Sequence, residues 1–356
     1  MVDKNTVLAA IAHVTDPWMQ VDYVSARAAR FDEASQTLTI ALGYPAKDAI
    51  ESTRALVQAA LDKAGLAVKL VVEQKIVAHA VQRQLKVLPN VKNIIAVSSG
   101  KGGVGKSTVT ANLALALAKA GAKVGVLDAD IYGPSQPMML GAMGRPINND
   151  GQRLQPVRNH DLDIVSVGFL IDPDEPMIWR GPLAAQTLQQ LLTQTAWNEL
   201  DYLVIDMPPG TGDIQLTLSQ TVPVTGAVVV TTPQDIALLD AKKGLRMFQK
   251  VNVPILGLVE NMAMFKCPKC GHLEHIFGEG GARRMSEQYG VEVLGQLPLD
   301  PSIRDHADSG EPSVIAEPEG EAAQIYRTIA MKVAAAIAKS AKDMSLKMPS
   351  VKVVND

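Results

Sequence analysis

Cysteine is scarce in this chain: two residues among 356, Cys267 and Cys270, three positions apart. A secreted disulfide framework needs more thiols than that, so it is excluded, and a metal or redox role in a reducing compartment is left open. Aromatic residues reach only 4%, too few for a surface that stacks bases. Charge of one sign is missing as well. Lys and Arg number 34 against 37 Asp and Glu, a net charge of −3 at pH 7, so there is no basic field to attract nucleic acid. No stretch approaches the ~20 uninterrupted apolar residues of a membrane span; the most apolar late segment, 329–337, is broken by Lys332. Met1-Val2-Asp3-Lys4-Asn5 has no basic region leading into an apolar core, so no signal peptide is expected. The expectation is a cytoplasmic protein with neither a membrane nor a nucleic-acid partner.

What is present is a glycine loop in the right setting. Gly100-Lys101-Gly102-Gly103-Val104-Gly105-Lys106-Ser107, followed by Thr108, reads G-x-x-x-x-G-K-[ST]. The apolar, β-branched run Ile94 to Val97 precedes it, and Ala111 to Ala118, rich in helix formers and closed by Gly121, follows. Strand, glycine loop and helix together form an anion nest: successive N–H groups face inward and the helix N-terminus adds partial positive charge. Lys106 then neutralises phosphate and the Ser107 hydroxyl can ligate Mg²⁺. The motif predicts a nucleoside triphosphate site.

The length allows two domains. Residues 1–88 read as a small α+β unit: a helix over 6–14, strands over 23–29 and 37–42 joined by Asp32-Glu33-Ala34-Ser35, a helix over 46–64 and a strand over 68–77. Pro89-Asn90 is the expected joint. Over 92–344 apolar strands alternate with helices, which predicts a doubly wound, mainly parallel α/β sheet. Its strands are expected at 94–97, 123–127, 163–167, 202–205, 227–231, 255–259 and 293–296, with a closing helix within 319–339 whose Ala-rich face packs in the core. Residues 345–356 read as a flexible tail.

In such a sheet ligands bind at the carboxyl ends of strands, where the unusual residues fall. Asp128-Ala129-Asp130 follows one strand, and Asp206-Met207-Pro208-Pro209-Gly210-Thr211-Gly212-Asp213 follows another. Asp206 suits the Mg²⁺-linked carboxylate of a P-loop enzyme, whereas Asp128 taken alone fits that role or a capping one. Asn261, in Glu260-Asn261-Met262, is read equally as a reader of a purine edge or as a turn residue.

Cys267-Pro268-Lys269-Cys270 lies in a Lys, Pro and Gly loop. Gly271, directly after it, disfavours a thioredoxin-type pair, which opens a helix. Zinc or iron–sulfur ligation takes four ligands. His272 and His275 are available to zinc, although a loop histidine is more often ordinary. Two chains about a two-fold axis would instead supply four thiolates and predict a homodimer.

With both motifs in place, the chain resembles the Mrp/ApbC family of iron–sulfur P-loop ATPases, part of the wider MinD/ParA-like group, along essentially its whole length. Residues 1–88 resemble its MIP18-type (DUF59) domain. Residues 127–135, Trp179-Arg180-Gly181-Pro182, 206–213 and 260–262 match too. The resemblance implies that Lys101, the extra lysine of a deviant Walker A loop, reaches a partner's nucleotide. Asp130 would position the attacking water, Asp206 would serve Mg²⁺, and Asn261 would read adenine. Cys267 and Cys270 would bridge a [4Fe–4S] cluster between subunits. The expected function is a slowly hydrolysing ATPase, with ATP, Mg²⁺ and the cluster as cofactors, that receives clusters from an assembly scaffold and passes them to apo iron–sulfur proteins. A dimeric zinc-binding regulatory ATPase and a positioning ATPase are the alternatives. Residues 1–88 carry no cysteine, so docking or regulation suits that unit better than cluster ligation. Trp179 and Arg180 match without an assigned role.

Overall fold

The computed structural model describes residues 2–82, 85, 87–147, 153–170 and 181–342. Trp179, Arg180 and the expected tail at 345–356 lie outside the described residues.

The first unit begins with α1 (Lys4–Ile11), capped by Asp3, whose carboxylate accepts from the N–H groups of Asn5 and Thr6. Strands β1 (Ala29–Asp32), β2 (Thr37–Leu42) and β3 (Lys69–Gln74) form one sheet in that order, with α2 (Ile50–Lys63) crossing between β2 and β3. β1 and β2 are antiparallel, while β2 and β3 are parallel. Leu38, Ile40 and Leu42 alternate into the core with Thr37, Thr39 and Ala41 on the other face, the period-2 signature of a half-buried strand.

One expected strand is absent. Residues 23–27 are turns, and the strand starts only at Ala29. Asp22 is the cause: its carboxylate accepts from Val24 N and Ser25 N, and Ala26 N bonds its carbonyl. This Asx turn competes with extended backbone. Asp32 ends β1 and closes the following turn through Ala34 N and Ser35 Oγ.

The second unit is a nine-stranded sheet. Its strands are β4 (Val91–Ser99), β5 (Val124–Asp128), β6 (Val157–Asn159), β7 (Leu162–Ser166), β8 (Leu200–Asp206), β9 (Gly226–Thr231), β10 (Ile255–Lys266), β11 (Leu273–Glu274) and β12 (Val293–Pro298). The order is β11-β10-β9-β4-β8-β5-β7-β6, with β12 also paired to β10. All pairings are parallel except β6 with β7 and β10 with β11. This is the expected doubly wound sheet.

The helices are α3 (Lys106–Lys119), α4 (Gln136–Met139), α5 (Gly181–Gln194), α6 (Asp213–Thr221), α7 (Asp235–Lys250), α8 (Gly281–Tyr289), α9 (Pro301–Asp308), α10 (Ser313–Ala316) and α11 (Glu321–Lys339). α3 is buried nearly throughout because α11 covers the side turned away from the sheet. Tyr326, Ile329, Ala330, Val333, Ala334 and Ile337 of α11 are core residues. The first unit joins this layer at the far end of α3: Lys47 N donates to Ala120 O at 3.0 Å and Gln74 Nε2 to Gly121 O at 2.9 Å. No described helix is long and apolar enough to cross a membrane.

Candidate nucleotide site and cysteine hairpin

The glycine loop leaves the carboxyl end of β4, the central strand, and enters α3. Gly103 and Gly105 take φ of +80° and +84°, left-handed values that disfavour a Cβ. At Gly100 the constraint is space, since a Cβ would lie 2.2 Å from the Asp240 carbonyl carbon in α7. Val104 is buried, Gly102 and Gly103 are exposed, and Lys101, Ser107 and Thr108 are half-buried. Asn261 braces the loop by donating from Nδ2 to Val104 O at 2.9 Å. It sits within β10 rather than after a shorter strand, because β10 carries a bulge here: Met262 has φ +55° and the register with β12 shifts between Glu260 and Met264.

Under the loop lies a buried polar cluster. Lys106 Nζ pairs with Asp206 Oδ1, approaches Ser107 Oγ at 3.2 Å and lies 3.8 Å from Asp130 Oδ2. Asp206, fully buried at the end of β8, also accepts from Thr110 Oγ1 at 3.1 Å and from Gln136 Nε2 at 2.9 Å. Lys106, Ser107, Asp130 and Asp206 are thus brought together. Burial raises the Asp130 carboxyl, and the Lys106 ammonium counters it.

Asp128 closes the segment that carries Asp130. It accepts from Asp130 N at 3.2 Å, Ser135 N at 3.0 Å, Gln136 N at 3.1 Å and Ser166 Oγ at 3.0 Å. Of the two readings of Asp128, its bonds fit the capping one. Burial, reinforced by the Asp206 carboxylate, pushes its carboxyl up to about 7. After β8, Gly210 (φ +94°) makes the sharp turn and donates its N–H to Ser99 O at 3.0 Å.

Thr110, Gln136 and Ser166 were not singled out by the motifs. Thr110 lies one helical turn after Lys106, a readable spacing. Gln136 reaches the cluster only through the tertiary fold.

The cysteines lie elsewhere on the same rim. β10, β9 and β4 are parallel, so β10 ends on the same edge of the sheet as the glycine loop. β10 runs past the sheet to Lys266 and turns back as β11 through Phe265↔Glu274 and Lys266↔Leu273. Cys267 and Cys270 occupy the hairpin tip, closed by Gly271 N to Cys267 O and Cys267 N to His272 O, each 2.8 Å. Gly271 has φ +72°. Cys270 is exposed and Cys267 partly so. The N–H groups of Lys269 and Cys270, and then the Cys270 thiol, lower the Cys267 thiol below its ordinary range. His275 points back, its Nδ1 2.8 Å from Ala263 O. Among the described residues no three His, Cys, Asp or Glu side chains converge as a metal site, so the two histidines do not complete a site with the thiols within one chain.

Strand, glycine loop, helix and a carboxylate from the adjacent strand define a P-loop NTPase of the MinD/ParA fold. A profile for "NUBPL iron-transfer P-loop NTPase" matches residues 90–334, and one for "Iron-sulfur cluster assembly protein" matches 4–72. The chain belongs to this family of iron-transfer P-loop NTPases. An iron–sulfur cluster carrier protein of Haemophilus influenzae is 51% identical over 343 residues, 93% of this chain and 91% of the relative. One from Pseudomonas fragi is 61% identical over 72% of this chain and 90% of its own length. The mouse iron–sulfur cluster transfer protein NUBPL is 50% identical over 70% and 78% respectively. Among solved structures, an ADP complex of a nucleotide-binding protein from Archaeoglobus fulgidus aligns with TM-score 0.57 and 41% identity, covering 65% of this chain and 90% of that one. Pyrococcus furiosus MinD aligns at 0.52 and 24% over 68% and 98%, a likeness of fold.

Proposed function

We propose that this protein is an ATP-dependent iron–sulfur cluster carrier. Two copies hold one [4Fe–4S] cluster on the paired thiolates of Cys267 and Cys270 and pass it to apoproteins. The observation that carries the reading is the hairpin tip. Each chain offers two accessible thiols with no further ligands from its own described residues, a half-site that a second copy completes. Ile236 and Leu239 of α7, with Leu273 and Ile276 of the hairpin, are large exposed apolar side chains on the same rim, and an interface between copies would cover them.

At the nucleotide site the protein's work is positioning and charge. Backbone N–H groups of 102–107 cradle the phosphates, and Lys106 exchanges its bond to Asp206 for one to phosphate. Asp130 orients the attacking water, while Lys101 adds charge to the partner's nucleotide. The hard oxygen donors Ser107 and Asp206 fit Mg²⁺ and would hold it there; bound, it would neutralise phosphate charge. Asn261, which braces Val104, reads the adenine edge once the loop is occupied. Hydrolysis is slow, because binding and release of cargo matter more than turnover.

Anaerobic reconstitution with iron and sulfide, followed by visible and EPR spectroscopy and size-exclusion mass, tests this. The expected result is a brown dimer with a [4Fe–4S] signature, lost in Cys267→Ala. Colourless protein with stoichiometric zinc that takes up neither iron nor sulfide would overturn it and favour the zinc reading.

A further inference from the structure

The cluster around Asp206 contains one side chain whose hydrogen bonding is half complete. Gln136, the first residue of α4, is fully buried. Its Nε2 donates to Ser107 O at 3.0 Å and to Asp206 Oδ2 at 2.9 Å, which uses both amide hydrogens. Its Oε1 is buried and has no partner, and the neighbouring Ser135 hydroxyl is buried and unpartnered as well. Rotating the amide does not help. The flipped oxygen would face a carbonyl and a carboxylate, two acceptors that need donors.

A buried acceptor without a partner is rare and costly. Oε1 and Nε2 share one carbon, so the orphan oxygen is held beside the Ser107 and Asp206 groups that Nε2 engages. What it lacks is an O–H donor. The donor that suits this place is water in the shell of a divalent cation, since Mg²⁺ keeps several of its waters when bound by one or two protein ligands and phosphates.

We propose that Gln136 is a positioning residue for the metal–nucleotide complex, its Nε2 fixing Asp206 and the Ser107 carbonyl while its Oε1 accepts a hydrogen bond from a Mg²⁺-bound water. This rests on the nucleotide-site reading above. It also gives the Asp130 segment a tie to Asp206, because Gln136 is anchored at its backbone N–H by Asp128.

The test titrates a fluorescent ATP analogue into the full-length protein with and without MgCl₂. In Gln136→Leu, Mg²⁺-free affinity moves less than about twofold, but the affinity gained on adding Mg²⁺ falls by about tenfold, the worth of one hydrogen bond to a charged group. Gln136→Glu keeps the acceptor for the Mg²⁺-bound water but loses the amide donors to Asp206 and the Ser107 carbonyl and adds charge there, so Mg²⁺-free binding weakens while its Mg²⁺ gain exceeds that of Gln136→Leu. If Gln136→Leu does not fold by circular dichroism, Gln136→Met carries the same expectation. An unchanged Mg²⁺ gain in the apolar variants overturns the proposal, as does loss of the fold in both, which would make Gln136 a structural tie. Wild-type protein that binds no ATP would instead overturn the nucleotide site itself, and the proposal with it.

Discussion

At the scale of single residues, the glycine loop rests on a buried ion pair. Lys106 and Asp206 are almost wholly removed from solvent. Removing one partner of such a pair leaves a charge stranded in the interior and costs about 3–5 kcal/mol. Lys106→Ala should therefore abolish ATP binding and also lower stability by about that amount in urea unfolding without nucleotide. Lys106→Met combined with Asp206→Asn should recover part of the loss. Asp128 gives a pH signature. Its carboxyl stands at about 7 in the folded chain against the ordinary 3.8, so the folded state holds this proton more tightly than the unfolded chain does. That contribution is complete below about pH 4 and is lost as pH rises through about 7. Asp128→Asn should flatten the dependence of unfolding free energy on pH across that window. The motif residues were legible because glycine, lysine and hydroxyl at fixed spacing carry their chemistry locally. Gln136 was not: nothing near it in sequence says that it will meet Asp206, 70 positions away.

At the scale of elements, the cysteine hairpin is an appendage of β10 whose geometry depends on Gly271. Gly271→Val places a β-branched residue at φ +72°, a strained conformation. Reconstituted protein should then show reduced cluster absorbance with ATP affinity unchanged. His275→Ala should leave the cluster's EPR signature intact, because the four thiolates of two copies already complete the ligand set. Main-sheet strands were readable since burial on both faces leaves long apolar runs. Two local features defeated pattern. Residues 23–29 alternate as a strand does, yet the Asp22 carboxylate captures the chain in a turn. β10 passes through Asn261, where a bulge with Met262 at positive φ extends a strand that periodicity ends at Val259.

At the scale of the whole molecule, the loop and the thiols share one edge of one sheet, with the exposed apolar residues of α7 on that rim. Lys101→Ala should bind ATP nearly as wild type but lose the nucleotide-dependent change in cluster absorbance and transfer rate. Equal transfer and hydrolysis in that variant and its parent would show that nucleotide and cargo are uncoupled. The arrangement of the two units was less legible, because their seam rests on scattered bonds, such as Lys47 N to Ala120 O, Gln74 Nε2 to Gly121 O and Asn93 Nδ2 to Val77 O, that no residue pattern announces.

The same seam gives α3 mechanical meaning. The helix starts at the phosphate lysine and ends where the first unit is bonded on, and it is clamped along its length between sheet and α11. Its 14 residues make a stiff rod of about 21 Å. A rod held this way cannot tilt by itself, so a displacement of Lys106 along the helix axis would reach Ala120 nearly undiminished. The first unit therefore sits at the far end of a push-rod whose near end is the nucleotide pocket.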